Sequence, residues 1–291
     1  MRFIFWAIFF NLFLLASLLS GPSPRLVFLS VGQGDAALSF SGSFSILVDA
    51  GPSGEAARGI SRVLGRRKYL DVVFISHLDK DHWGGFPEVA KRYEIGAVVF
   101  PGDPSSRPDI KNMPPELANA VIEAERKGSR LVSLGAGSSV DLGADSVFIM
   151  SPDNSAILKG DNNRSLVVRL ESPGRQTLFT GDIGRTAEKY LIKKYGRKLH
   201  AQILKVSHHG AKSSSGADFL SAVSPEAAVI SVGKNSYGHP SSETIARIIA
   251  AGGEVFRTDR LGDVSFPSEV GNACRNRYWA RACSALRRVI R

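Results

Sequence analysis

The sequence predicts an α/β fold in one large domain, from the size of the chain and two patterns along it. Of the 291 residues, 43% are hydrophobic, which is enough for a well-buried core. Short β-branched and aromatic runs bounded by Gly, Asp and Pro predict strands at 25–31, 37–40, 44–48, 72–75, 97–100, 147–150, 166–170, 176–179, 203–206 and 228–232. Apolar residues at helical spacing predict helices at 55–64, 86–92, 115–127, 186–195, 217–223 and 242–251. No internal repeat or low-complexity linker marks a second domain.

The chain begins with a strongly apolar segment. Residues 3–20 contain no charged side chain, follow Arg2 and precede Gly-Pro-Ser-Pro, whose prolines end any helix there. A run of this length fits either a cleaved secretory signal peptide or an N-terminal membrane anchor. We therefore predict a signal or anchor helix at residues 1–22, with membrane association through it, and an extracytoplasmic location for the rest of the chain.

The charge balance predicts an anionic partner. With 37 Lys and Arg against 27 Asp and Glu, the formal net charge is +10, which attracts polyanions such as nucleic acid or anionic lipid. Residues 271–291 form a basic tail, in which the stretch 275–291 contains six Arg and no acid. Apolar residues at helical spacing in this tail suit a membrane surface or a phosphate backbone, or alternatively a terminal helix docked on the domain.

The two cysteines of the chain, Cys274 and Cys283, lie in this tail. Because neither is near a histidine cluster, thiolate metal ligands and a cysteine nucleophile are not expected. In an oxidising compartment we expect the two to form one intramolecular disulfide; the alternative is two unpaired small apolar residues.

The segment with the clearest chemical meaning is Ser-His-Leu-Asp-Lys-Asp-His-Trp-Gly-Gly, residues 76–85. It follows an apolar run at 71–75, which predicts a buried strand, and it precedes a predicted helix. Side chains at the mouth of such a strand can converge on one point. Clustered Asp and His also occur in solvated loops, but this spacing, closed by Gly-Gly, predicts a metal site. Its candidate ligands are His77, Asp79, Asp81 and His82.

This segment resembles the H-x-[HD]-x-D-H signature of the metallo-β-lactamase superfamily. Further motifs follow the order of the branch that contains the extracytoplasmic metallo-β-lactamase-like domain of the competence protein ComEC. They are Phe-Leu-Ser-Val-Gly-Gln-Gly-Asp-Ala at 28–36, Ile-Leu-Val-Asp-Ala-Gly at 46–51, Asn-Asn-Arg-Ser-Leu-Val at 162–167, Phe-Thr-Gly-Asp at 179–182, Leu-Lys-Val-Ser-His-His-Gly at 204–210 and Tyr-Gly-His-Pro-Ser at 237–241. The resemblance covers residues 25–270 and implies a hydrolase domain with a four-layer αββα sandwich and two divalent metal ions, Zn²⁺ or Mn²⁺.

The resemblance implies roles for individual ligands. His77 and Asp79 would bind one metal, and Asp81 and His82 would bind the second. Asp182 would bridge the two metals, because a carboxylate has two oxygens.

The remaining metal ligands are less clearly marked. His208 is the ring expected to complete the second site, with its neighbour His209 as the alternative. Most members of the superfamily have His in place of Asp79 and a further His before the Thr-Gly-Asp motif. Residues 83–199 contain no His, so Asn163 is the candidate replacement. Fewer imidazoles and more oxygens make a harder site, which shifts its preference from Zn²⁺ towards Mn²⁺ or Mg²⁺.

Several positions have two interpretations each. Asp49 matches an aspartate that orients a metal ligand, although an Asp at a strand-to-turn junction is common. His239 would donate a proton or bind substrate, or is held in its loop by the backbone. Lys205, beside the His-His pair, would bind a phosphate or be solvated. With Asp81, these two are the candidate catalytic residues. The Gly-Gln-Gly-Asp turn at 32–35 precedes a strand and not a helix, so it predicts a tight turn beneath the site and no nucleotide cofactor.

Two metals at one site predict a hydrolysis reaction. No G-x-S-x-G motif and no redox cofactor motif is present in the sequence. The resemblance and the positive charge favour an exported phosphodiesterase or nuclease that acts on DNA. Two alternatives stay open: a metallohydrolase of small esters, amides or cell-wall phosphate esters, and a non-catalytic relative that binds DNA or membranes.

Overall fold

Two mixed β-sheets pack face to face in the computed structural model, which describes residues 25–41, 44–142, 145–153 and 158–267. The first sheet contains, in spatial order, β14 (Val264–Pro267), β1 (Arg25–Phe28), β2 (Ala37–Phe40), β3 (Ser45–Val48), β4 (Tyr69–Phe74), β5 (Glu94–Pro101) and β6 (Arg130–Leu134). The second contains β13 (Glu254–Arg257), β12 (Ala227–Ile230), β11 (Ile203–Lys205), β10 (Arg175–Phe179), β9 (Val167–Ser172), β8 (Asp145–Ser151) and β7 (Ser139–Leu142).

Helices cover the outer face of each sheet. The described helices are α1 (Glu55–Leu64), α2 (Lys80–Trp83), α3 (Phe86–Arg92), α4 (Pro115–Arg126), α5 (Arg185–Tyr195), α6 (Ala217–Val223), α7 (Ser242–Ala250) and α8 (Thr258–Leu261). Apolar residues of α1, α3 and α4 share one core with the first sheet, and those of α5, α6 and α7 share another with the second. A third core, which includes Phe28, Phe74 and Phe179, fills the space between the sheets. The four-layer αββα arrangement is therefore confirmed.

All ten predicted strands and all six predicted helices are present, with ends within three residues of the predicted bounds. The four strands that the sequence patterns did not indicate, β6, β7, β13 and β14, are the four edge strands of the two sheets. Edge strands are short and partly solvated, so they lack the continuous apolar run that marks a central strand. The unpredicted α2 and α8 have four residues each, which is too short for helical periodicity to show.

The predicted signal or anchor segment at 1–22 and the basic tail at 271–291 lie outside the described residues. Among the helices that the structure describes, none is long and apolar enough to cross a membrane. Export, anchoring and the Cys274–Cys283 disulfide therefore stay predictions. Cell fractionation and mass spectrometry of unreduced peptides would check them.

The segments that carry the predicted ligands follow strands from both sheets at one edge of the sandwich. β3 and β4 run parallel in the first sheet, and β10, β11 and β12 run parallel in the second. Their carboxyl ends therefore point to the same edge. The two sheets meet there, since Asp81 Oδ2, after β4, lies 3.0 Å from His209 Nε2, after β11.

Candidate metal centre

The segment after β4 turns two imidazoles inward and leaves two carboxylates nearer to solvent. His77 and His82 are buried, whereas the side chains of Asp79 and Asp81 are 51% and 33% exposed. The single turn of α2 brings His82 back beside His77, with ring centroids 4.1 Å apart. The structure thus gathers these four predicted ligands at one place.

Asp49 holds His82 in a fixed orientation. Asp49 Oδ2 lies 2.8 Å from His82 Nδ1, and because a carboxylate can only accept, the imidazole donates there. The same carboxylate accepts from Ser76 N and Ser76 Oγ, each at 2.7 Å. The φ angle of Asp49 is +60°, in the left-handed region that Asp tolerates better than most residues. His82 Nε2 is the ring atom left to face the rest of the site.

Asp182 lies between two histidines, one from each half of the fold. Its Oδ1 lies 3.4 Å from His82 Nε2, and its Oδ2 lies 3.5 Å from His209 Nε2. The carboxylate is buried, in the middle of the loop between β10 and α5. A side chain that presents one oxygen to each side has the geometry that a bridging ligand needs.

Of the two adjacent histidines, His209 is the one that turns inward. Its Nδ1 donates to the carbonyl oxygen of Ser231 at 2.9 Å, which leaves Nε2 to face Asp81 and Asp182. This hydrogen bond fixes the orientation of the ring, as the partners of metal-binding histidines commonly do.

His208, the ring preferred from the sequence, lies on the rim instead. Its ring centroid is 5.6 Å from that of His239 and 6.4 Å from that of His209. His208 and His209 both have left-handed backbone, with φ of 52° and 50°, and their rings stand at 87° to one another. This turn sends the two side chains in different directions, so the structure places His209, and not His208, beside Asp81 and Asp182.

Asp35 is a buried member of the cluster that the sequence analysis read only as part of a turn. Its Oδ1 lies 3.4 Å from His209 Nδ1, and its Oδ2 lies 3.6 Å from His82 Nδ1. The turn before it passes so close to the metal-ligand loop that a Cβ on Gly34 would lie 2.3 Å from the carbonyl oxygen of Asp81. The signal in the sequence was the acid that closes the Gly-Gln-Gly-Asp motif.

The sequence left two interpretations for Lys205, a phosphate-binding side chain or a solvated one, and the structure places it in neither setting. It is the last residue of β11 and is buried. Its ammonium group pairs with Asp35, lies 3.4 Å from Asp182 Oδ1 and donates to the carbonyl oxygen of Gly181 at 3.1 Å. With these partners it faces the interior beneath the carboxylates, so we assign it to holding the site together and not to contact with a substrate.

Negative charge dominates the cluster. Four carboxylates, those of Asp35, Asp49, Asp81 and Asp182, lie within it, and Lys205 is the one Lys or Arg that pairs with them among the described residues. Burying that much uncompensated charge is costly, so further cations would stabilise the site.

Protonated histidine rings supply part of this positive charge. Burial alone would lower the pKa of His82, but the carboxylates of Asp182, Asp49 and Asp35 outweigh burial and raise this pKa well above its usual value. Burial likewise lowers the pKa of His209, but the carboxylates of Asp182 and Asp35 outweigh burial and raise this pKa to about 10. A divalent cation bound through the same ring nitrogens would supply this charge instead and release the protons.

The donor atoms fit a divalent metal. His77 Nε2 and His82 Nε2 are buried without a hydrogen-bond partner, an arrangement that is rare unless another ligand uses the atom. Within the described residues, the triads His77-His82-Asp182 and Asp81-His82-His209 each bring ligand atoms within 4.8 Å of one another. Imidazole and carboxylate donors without sulfur suit Zn²⁺, Mn²⁺ and iron.

Asn163, the candidate replacement for a missing histidine, is engaged elsewhere. Its Oδ1 accepts from Gly184 N at 3.0 Å, and its Nδ2 donates to the carbonyl oxygen of Lys159 at 3.0 Å. These bonds tie a 3₁₀ turn, Asn162–Arg164, to the start of α5. The structure therefore gives Asn163 a role in positioning the Asp182 loop.

An open cleft of about 210 Å³ lies above the ligands. Its lining residues are Gln33, Asp79, Asp81, Asp182, His208, His209, Tyr237 and His239. Burial lowers the pKa of His208 and of His239, so both rim imidazoles are neutral near pH 7. His239 does lie on the same rim as the ligands, and its role as proton donor or substrate ligand stays a prediction.

A buried carboxylate outside the cluster supports the loop behind the His-His pair, and its replacement should destabilise the fold. Glu188 accepts from Ser215 N and from Gly216 N, the latter at 2.9 Å. Burial raises the pKa of Glu188. In Glu188→Gln an amide NH₂ would face one of those N–H groups and leave it without an acceptor. We therefore expect the free energy of unfolding, measured by urea denaturation, to fall by about 1–3 kcal/mol. The exposed Glu123→Gln should change it by less than about 0.5 kcal/mol; equal effects would contradict the prediction.

Comparison with known proteins identifies the family of this chain. The profile of the metallo-beta-lactamase superfamily matches residues 29–234. Competence protein ComA of Neisseria gonorrhoeae is 33% identical over 238 residues, which cover 81% of this chain and 31% of that protein. ComE operon protein 3 of Bacillus subtilis is 28% identical over 201 residues, 68% of this chain and 25% of that protein. The chain thus spans about a third or less of the length of these two relatives.

Solved structures share the fold at low sequence identity. The metallo-beta-lactamase fold protein YhfI of Bacillus subtilis has a TM-score of 0.55 at 11% identity and covers 84% of this chain and 99% of its own. Zn²⁺-bound PqqB of Methylobacterium extorquens has a TM-score of 0.54 at 11% identity, with 83% and 99% covered. By its sequence match, its fold and its cluster of candidate ligands, this chain belongs to the metallo-β-lactamase superfamily, and it resembles competence proteins of the ComA and ComEC type.

Proposed function

We propose that this protein is a metal-dependent phosphodiesterase or nuclease that acts on DNA outside the cytoplasm. The observation that carries the proposal is the position of Asp182, with one oxygen toward His82 and the other toward His209, beneath an open cleft. One cation would be held by Asp81, His82 and His209, the other by His77 and Asp79, with Asp182 shared. Divalent cations bound there would activate a water and offset charge on a phosphate.

The protein's own residues would do the remaining work. Asp49, through its bond to His82 Nδ1, keeps that ring in the orientation that presents Nε2 to the site. Asp35 and Lys205 pair beneath the carboxylates and hold Asp182 in place. The neutral imidazole rings of His208 and His239, on the rim of the cleft, would each donate one N–H to a phosphate oxygen or a leaving group.

The choice of substrate draws on two further facts. One relative is named a competence protein and another a ComE operon protein, and the chain has a net charge of +10. Both favour a nucleic-acid substrate. The signal or anchor segment at 1–22, the hydrolase domain at 25–270 and the tail at 271–291 complete the proposal.

The decisive experiment uses purified protein stripped of metal by a chelator and reloaded with Mn²⁺ or Zn²⁺. We expect cleavage of single-stranded DNA and of bis(p-nitrophenyl) phosphate only in the reloaded samples. Cleavage of small esters or amides without phosphodiester cleavage would favour the alternative metallohydrolase. Metal-loaded, folded protein with no turnover on any of these substrates would favour the non-catalytic relative.

Tyr237 offers a test of the substrate class. It is 73% exposed at the cleft rim, with its ring centroid 5.7 Å from that of His239. Asn235 holds this loop rigid, because its Oδ1 accepts from Tyr237 N and His239 N, both at 3.1 Å. A preorganised, exposed aromatic ring can stack on a nucleobase.

We therefore expect Tyr237→Ala to weaken binding of a single-stranded oligonucleotide by about 5- to 150-fold, the range for loss of one stacked base. Fluorescence anisotropy in the presence of a chelator would measure binding without turnover. Tyr237→Phe retains the ring and should bind like the parent protein. Equal binding by the Ala and Phe variants would remove Tyr237 from the proposed substrate path.

A further inference from the structure

The exposed face of α5 carries a row of cations. Arg185, Lys189 and Lys193 are exposed and four residues apart, so they lie on one face of the helix. Arg197 and Lys198, both exposed, continue the row in the 3₁₀ turn Gly196–Leu199 that follows. We call these five residues the α5 basic row.

Many cations on the other helix surfaces have ion pairs, whereas four of the five cations of the α5 basic row have none among the described residues. Ion pairs on the helix surfaces join Arg58 to Glu55, Arg62 to Asp263, Arg92 to Glu88, Arg126 to Glu123, Lys194 to Asp153 and Lys212 to Glu243. Within the described part of the chain, no ion pair involves Lys189, Lys193, Arg197 or Lys198. Their charge is therefore available to a ligand from outside the chain.

The row starts at the candidate metal centre. α5 begins three residues after Asp182, and it connects β10 to the parallel β11, so it runs from the ligand edge of the sheet to the opposite edge. Its 11 residues span about 16 Å. The 3₁₀ turn tied to its start by Asn163 adds the exposed Arg164, and the same turn has one exposed acid, Asp161.

We propose that the α5 basic row binds the phosphates of a nucleic-acid strand whose scissile phosphate lies at the Asp182 site. This inference rests on the proposed function and adds the path of the substrate. Successive cations at about 6 Å along the helix suit a ligand with regularly repeated negative charge. A membrane surface fits less well, because an interfacial helix needs a large apolar face, and no large exposed hydrophobic side chain lies on α5 among the described residues.

The test compares two variants of the full chain with equal changes in charge. In the first, Lys189, Lys193 and Arg197 are replaced with alanine. In the control, Lys91, Lys111 and Arg126, exposed on the opposite helical layer, are replaced in the same way. The probe is a fluorescently labelled single-stranded DNA oligonucleotide, titrated over a range of salt concentrations with a chelator present, so that binding is measured without turnover.

For the α5 variant we expect the slope of log K against log salt to decrease by about 2, because each lost contact to a single strand contributes about 0.7. The control variant should retain the parent slope, and both should unfold at the parent midpoint. Metal-dependent cleavage of bis(p-nitrophenyl) phosphate should be unchanged in the α5 variant, because that small substrate does not reach the row.

Failure of the inference is distinguishable from failure of the proposed function. Equal slopes for the α5 and control variants would overturn the α5 basic row as a binding surface, even if the parent protein cleaves DNA. Loss of binding to phosphatidylserine vesicles by the α5 variant, with unchanged oligonucleotide binding, would assign the row to membranes and also overturn the inference. Absence of cleavage by the metal-loaded parent protein, with a reduced salt slope in the α5 variant only, would instead count against the proposed function and leave the row as a nucleic-acid-binding surface.

Discussion

Replacement of Asp182 by alanine is expected to abolish metal-dependent turnover while the protein stays folded. The carboxylate offers one oxygen toward His82 and one toward His209, so its loss should weaken both metal positions. Metal ions contribute several kcal/mol of charge stabilisation to the transition state, and about 4 kcal/mol corresponds to a thousandfold in rate. We therefore expect kcat/KM for bis(p-nitrophenyl) phosphate to fall by at least about a thousandfold.

The fold should survive because Lys205, the buried ammonium group beside Asp182, retains Asp35 and the Gly181 carbonyl oxygen as partners. Metal content by mass spectrometry, kinetics and circular dichroism would be measured on the same preparations. Asp161→Ala, which removes an exposed carboxylate from a neighbouring turn, is the matched control and should behave like the parent protein. Parent-level metal content and turnover in Asp182→Ala would show that this chain does not use a shared two-metal site.

Replacement of His209 by alanine is expected to cost far more activity than the same change at His208. His209 Nε2 faces Asp81 and Asp182 from a ring anchored on Ser231, whereas the ring of His208 lies on the rim. Loss of a direct ligand should exceed the 10- to 100-fold effect that is typical of residues that only orient ligands, so we expect a decrease in kcat/KM of more than about a hundredfold. For His208→Ala, which removes one N–H donor from the rim and no inward-facing ring, we expect about tenfold or less, because one neutral hydrogen bond is worth about 1 kcal/mol.

Metal stoichiometry separates the two histidines independently of rate. His209→Ala should bind close to one metal fewer per chain than the parent, and His208→Ala should bind the parent amount. The two residues are adjacent and share the same left-handed backbone, so each variant is the control for the other. If His208→Ala lost the metal and His209→Ala kept it, the ligand would be the ring that the sequence analysis preferred.

Most of the fold was predictable because its central elements have strong local patterns. The ten predicted strands include all the central strands of both sheets, where apolar residues pack on two sides, and the helices longer than four residues show their apolar face at the expected spacing. The edge strands were not predictable, because pairing on one side and solvent on the other leave a mixed sequence.

The candidate site was likewise predictable only where local sequence specifies it. Local sequence determined which donor atoms are available, since short motifs at strand ends specify them. These donors are the candidate ligands of the segment 76–85, the Asp of the Thr-Gly-Asp motif and the histidine pair at 208–209. Only the tertiary structure decided that His209 turns inward, because the direction of each ring depends on the backbone turn and on Ser231, a partner 22 residues away.

The contacts beneath the ligands also required the tertiary structure. Asp35 and Lys205 pair across the two sheets, between residues 170 positions apart in the chain, and no local pattern encodes such a contact. The chain by itself thus determined the family, the order of the elements and the chemistry of the donors. The packing of the two sheets decided which side chains face one another. At their shared edge the carboxylates and cations are buried, and a buried charge is stable only beside a partner, which here comes from the other half of the fold.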